Sequence, residues 1–133
     1  MNLNTLVVVP TYNERENVQS IVGRTLGAAS GVNVLVVDDN SPDGTGKIAD
    51  RLALDDDRIF VLHRDKKSGI GSAYRAGFGW ALGRGYDVVV EMDADGSHRP
   101  EQLPRLLEAL GSANVVLGSR WIPGGSAPDW SKR

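Results

Sequence analysis

The chain alternates short, wholly apolar runs with longer stretches in which apolar residues recur at helical spacing. Leu6-Val7-Val8-Val9, closed by Pro10, has the pattern of a strand buried on both faces. Val18, Ile21, Val22 and Leu26 then mark a helix, with Asn13 and Glu16 at capping-box spacing ahead of it and Gly31 closing it. Val32 to Val37 reads as a second strand. The turn-rich Asn40-Ser41-Pro42-Asp43-Gly44 separates it from a second helix, from Thr45 to about Leu54. Ile59 to Leu62 is a third strand, and Ser68-Gly69-Ile70-Gly71-Ser72-Ala73 leads into a helix whose inward face is Ala73, Ala76, Gly77, Trp80 and Ala81. Val88 to Met92 is a fourth strand. Pro100 suits the first turn of a last helix carrying Leu103, Leu106, Leu107 and Leu110, and Val115-Val116-Leu117 is a fifth strand. The rest, through Pro123-Gly124-Gly125 with Trp121 and Trp130, is irregular.

Alternating strands and helices with short connections predict an α/β fold, a mainly parallel sheet flanked by helices. At 133 residues the chain suits a single domain, 1–133, burying roughly two-thirds of its unfolded surface. A net charge of −2 gives no basic footprint for nucleic acid. The absence of cysteine excludes disulfides, thiolate zinc sites and a cysteine nucleophile, and fits a reducing compartment. The longest apolar runs fall far short of the roughly 20 residues that span a bilayer, and no signal peptide opens the chain.

Two of the strands end in acids. Val34-Leu35-Val36-Val37 runs into Asp38-Asp39, and Val88-Val89-Val90-Glu91-Met92 runs into Asp93-Ala94-Asp95. In a parallel sheet the carboxyl ends of the strands share one crevice, so these clusters are expected to meet there. Carboxylates so gathered repel one another unless a cation joins them. Asp93 and Asp95 are therefore candidate ligands for a hard divalent ion shared with a phosphorylated substrate, against the simpler reading of a solvated turn. Asp39 is the candidate for ribose hydroxyls or a base edge, while Asp43 reads as a helix cap.

Pro10-Thr11-Tyr12-Asn13-Glu14 sets an aromatic ring beside a carboxylate, suited to holding a nucleobase by face and edge, though a plain strand-to-helix turn explains Pro10 and Asn13 equally well. Gly69-Ile70-Gly71 lacks the third glycine of a dinucleotide fingerprint, since Tyr74 stands there; small residues here let the helix approach the sheet or a ligand closely. His98 is either an aid to metal or phosphate or a residue leading into the next helix. Arg120, after Gly118-Ser119, is either a phosphate clamp or a surface arginine. Leu35 to Asp39 also looks like the acidic strand end of a receiver module, but Asp93 is too distant to be its phosphoacceptor and the only late lysine is Lys132.

In this order, Pro10 to Glu14, Val37 to Thr45, Met92 to Asp95 and Gly118 to Arg120 resemble the polyprenyl-phosphate (dolichol-phosphate) mannosyltransferases, inverting family 2 glycosyltransferases of GT-A fold. The resemblance covers essentially the whole chain. It implies a GDP-mannose donor, a Mg2+ or Mn2+ ion, a polyprenyl monophosphate acceptor in the membrane, and work at the cytoplasmic membrane face. It also implies that Pro10, Tyr12, Glu14, Asp39, Asp93, Ala94 and Asp95 hold the nucleotide sugar. Asp93 and Asp95 then bind the metal, and Asp95 and Arg120 serve the chemistry. Ser97 stands where some relatives have a glutamine ligand. Relatives continue beyond the equivalent of Arg133, so a further C-terminal region or a membrane-anchoring partner is expected to complete the acceptor side. Alternatives are a sister transferase using UDP-glucose and a noncatalytic nucleotide-sugar module.

Overall fold

The computed structural model describes residues 4–110. The expected fifth strand, Arg120, Trp121 and Trp130 lie outside the described residues. Four parallel strands form one sheet in the order β3-β2-β1-β4, with β1 at Thr5–Thr11, β2 at Val32–Asp38, β3 at Ile59–His63 and β4 at Val88–Glu91. The helices are α1 (Val18–Ala28), α2 (Thr45–Asp55), α3 (Ile70–Leu82) and α4 (Leu103–Ala109), the last preceded by a 3-10 turn at Pro100–Gln102.

Side chains alternate across each strand, so the apolar runs supply two cores. Val7, Val9, Val34, Val36 and Ile59 face one side, where Val18, Ile21, Val22, Ala49 and Leu103 cover them. Leu6, Val8, Leu35 and Val37 face the other side, against Ala73, Tyr74 and Ala81 of α3. Gly77 lets α3 approach closely, because a Cβ there would lie 2.5 Å from Val8 Cγ1.

The capping box at Asn13 and Glu16 does not form. Helix α1 begins at Val18, no side chain caps its first turn, and Asn13 sits in the left-handed region at φ 56°. The physical reason is tertiary: the N–H groups of Asn13, Glu14 and Arg15 are drawn to the side chains of Ser41, Thr45 and Asp43 at 3.0, 3.0 and 3.1 Å. The cap expected of Asp43 falls one residue later, since Gly44 is the N-cap of α2 and carries no side-chain cap; Asp43 instead accepts the Thr45 N–H at 3.0 Å.

Candidate active site

The chain lays down β1, β2 and β3 in one direction and then places β4 on the other side of β1. At such a reversal the connections diverge above neighbouring strand ends and leave a crevice. An open cleft of about 190 Å³ lies there. Pro10, Tyr12, Glu14, Asp39, Asp93, Ala94 and Asp95, the residues expected to hold a nucleotide sugar, all line it. Arg120 lies outside the described residues.

Adjacent Asp38 and Asp39 part ways because successive residues of a strand face opposite sides. Asp38 is buried and accepts hydrogen bonds from the Thr11 hydroxyl at 2.7 Å and from the Ser41 hydroxyl and N–H at 2.7 and 3.1 Å. It ties the loop after β2 to the end of β1. Asp39, only 5% exposed, lines the cleft. Its Oδ1 lies 3.2 Å from Arg64 Nε, yet the alignment makes no hydrogen bond, and both Asp39 Oδ1 and Arg64 Nη1 are buried without a hydrogen-bond partner. The other Asp39 oxygen, Oδ2, accepts the Ser68 N–H at 3.4 Å, so Asp39 meets the cleft already braced by Arg64 and by the segment after β3.

At the other end, Asp93 Oδ1 accepts the Tyr74 hydroxyl at 2.5 Å, and the Asp93 N–H donates to His98 Nδ1 at 2.9 Å. The His98 reading as a residue merely leading into the next helix is thus incomplete, since its ring holds the acidic segment. Burial first, then the bond to Asp93, pushes the Tyr74 phenol well above its ordinary range. Asp95 Oδ1 accepts the Ser97 hydroxyl and N–H at 2.6 and 2.9 Å. Burial pushes the Asp95 carboxyl up, but these hydrogen bonds and His98 outweigh it and hold the carboxyl below its usual range. Asp95 is therefore anionic at neutral pH.

Among the described residues no three metal-ligating side chains are gathered into a preformed cage. The pair Asp93 and Asp95 still fits Mg2+ or Mn2+, because such ions are held by one or two carboxylates with the remaining positions filled by phosphate oxygens and water.

Sequence reasoning missed Lys67, Tyr74 and Arg64. Lys67 lines the cleft with its ammonium 4.7 Å from the centre of the Tyr12 ring. The signal was its position just beyond β3, a strand end facing the same crevice. Tyr74 follows Ala73 and precedes Gly77 by three, within the inward helical face.

A profile of glycosyl transferase family 2 matches residues 6–133. The chain belongs to this family. A polyprenol monophosphomannose synthase of Mycolicibacterium smegmatis is 60% identical over 131 residues, 97% of this chain and 49% of that protein. An undecaprenyl-phosphate mannosyltransferase of Micrococcus luteus is 57% identical over 128 residues, 96% of this chain and 53% of that protein. This family 2 chain thus spans about half the length of these curated relatives. Its fold is GT-A: a mannosyltransferase of Pyrobaculum calidifontis, solved with GDP-Man and Mn2+, superposes with a TM-score of 0.71 at 22% identity, over 86% of this chain and 34% of that one.

Proposed function

We propose that this family 2 chain is the donor-binding part of a polyprenyl-phosphate mannosyltransferase, with residues 1–133 forming one domain. It takes GDP-mannose with Mg2+ or Mn2+ and transfers mannose, with inversion, to a polyprenyl monophosphate. The observation that carries the reading is one cleft that joins Tyr12 and the Asp39 carboxylate to Asp93, Ala94 and Asp95. The names of the two relatives above support the acceptor class, and the Mn2+ and GDP-Man of the Pyrobaculum enzyme support the donor and ion.

In this reading Pro10, Tyr12, Glu14 and Asp39 receive the nucleoside and Asp93, Ala94 and Asp95 the diphosphate. An ion held by Asp93 and Asp95 would neutralise the departing diphosphate. The acceptor phosphate is already anionic near neutral pH, so it attacks the anomeric carbon without a strong general base. The protein's task is alignment of attack opposite the leaving group and stabilisation of its charge, to which Arg120 contributes. Among the described residues no helix is long and apolar enough to cross a membrane. We assign access to the lipid acceptor to peripheral contact at the cytoplasmic face, helped by a further region or an anchoring partner.

Calorimetric titration of GDP-mannose and UDP-glucose, with and without Mn2+, tests this on the chain and on Asp95→Ala. The expected result is Mn2+-dependent GDP-mannose binding that the variant loses. Preference for UDP-glucose, or binding indifferent to both Mn2+ and Asp95, overturns it.

A further inference from the structure

Helix α3 contributes Ile70 and Ala73 to the cleft wall and buries the next residue, Tyr74. The Tyr74 ring packs in the apolar layer with Leu6, Val8 and Ala81, a role that phenylalanine would fill equally well. Its hydroxyl reaches beyond that layer to Asp93 Oδ1 at 2.5 Å. The phenol is the donor in this bond. That bond engages one oxygen of Asp93. The other, Oδ2, lies 3.9 Å from His98 Nε2, too far for a hydrogen bond.

We propose that Tyr74 is a positioning residue for the diphosphate end of the cleft. Its hydroxyl fixes the Asp93 carboxylate so that Oδ2 remains as the oxygen available to a divalent cation or a phosphate-bound ion. The proposal rests on the donor-site reading above. The same stretch of α3 is also tied to the opposite end of the cleft, because Arg64 Nη2 donates to Ser72 Oγ at 2.8 Å while Arg64 Nε lies 3.2 Å from Asp39 Oδ1. Removing only the Tyr74 hydroxyl leaves that second tie and the ring packing in place. Its effect is therefore confined to the metal and diphosphate end.

Tyr74→Phe in the 133-residue chain tests this, with Mn2+ affinity read by electron paramagnetic resonance in the presence of GDP, and GDP affinity read by calorimetry without metal. Partners that orient a metal ligand typically contribute about 10- to 100-fold to metal affinity, and a loss of about that size is expected. GDP binding without metal should stay at its wild-type value, while the melting temperature should fall modestly, since a hydrogen bond to a charged group is lost. In an Asp93→Asn background, Tyr74→Phe should cause no further loss, which a general packing role would not predict. Wild-type Mn2+ affinity in Tyr74→Phe overturns the proposal alone, as does an equal loss of metal-free GDP binding. Absence of any Mn2+ effect in the wild-type chain overturns the donor-site reading and the proposal with it.

Discussion

Thr45 accepts the backbone N–H of Glu14 at 3.0 Å through its hydroxyl oxygen, joining loops 31 positions apart. Ser41 and Asp43 hold the neighbouring N–H groups of Asn13 and Arg15 in the same way. The loop that carries Tyr12 and Glu14 to the cleft is therefore held by the turn after β2, whose own anchor is the buried Asp38. The polar residues of that turn hold the site in shape, and Asp39 alone among them lines the cleft.

Thr45→Val keeps the shape of this fully buried side chain and removes its acceptor. Leaving this part-buried N–H without a partner should cost about 1 kcal/mol, the low end for an unpaired donor. The variant should show a lower urea midpoint with an unchanged slope, together with weaker GDP-mannose binding because Tyr12 and Glu14 lose their support. A wild-type midpoint would show that the loop finds another acceptor.

Strands were legible because their apolar runs are short, continuous and closed by a polar residue or proline: Pro10 late in β1, Asp38 at the end of β2, His63 at the end of β3. The start of α1 was not, since local capping chemistry at Asn13 and Glu16 competes with acceptors on Ser41, Asp43 and Thr45 that are distant in sequence. Asp39, Asp93 and Asp95 could be named from strand endings, whereas Pro10 and Ala94 came from the family resemblance and the stretch from Pro10 to Glu14 read equally well as a plain turn. Arg64 and Tyr74 act through other residues, Arg64 beside Asp39 and Tyr74 on Asp93, and a contact between distant side chains has no signature in either segment. The choice of Asp39 over Asp38 for the cleft agrees with the structure, whereas the role of Asp38 as the buried anchor of the following loop was not read from spacing.

Gly77→Ala sets two effects against each other. Alanine gains about 1 kcal/mol over glycine in helix propensity. The new Cβ, however, would sit 2.5 Å from Cγ1 and 3.1 Å from Cγ2 of Val8, a fully buried residue of the central strand β1. Overpacking of this kind costs about 1–3 kcal/mol, and the short, branched Val8 side chain cannot swing away as a long flexible one could, so destabilisation should win. Val8→Ala should then be less harmful in the Gly77→Ala background than in wild type, because the two side chains share one volume. Additive losses in thermal melts of the four proteins would contradict the close approach.

The acidic segment is followed by a 3-10 turn that Glu101 fastens to α1 through Arg24, whose Nε donates to Glu101 Oε2 at 2.8 Å. Hydrogen bonding to Arg24 is the main cause that holds the Glu101 carboxyl below the ordinary glutamate range. A carboxyl whose ionisation is easier in the folded state contributes stability that is complete above the unfolded value and is lost as pH falls through the folded one. Both side chains are about half exposed, so the contribution is a surface one of about 0.2–1 kcal/mol, screened by salt. Glu101→Gln should therefore be slightly less stable than wild type at neutral pH. The gap should narrow as pH falls below the ordinary glutamate range and shrink in high salt. Denaturation midpoints of the two proteins, followed from neutral to acid pH at low and high ionic strength, measure it directly; a gap that widens toward acid would mean that Arg24 does not govern this carboxyl.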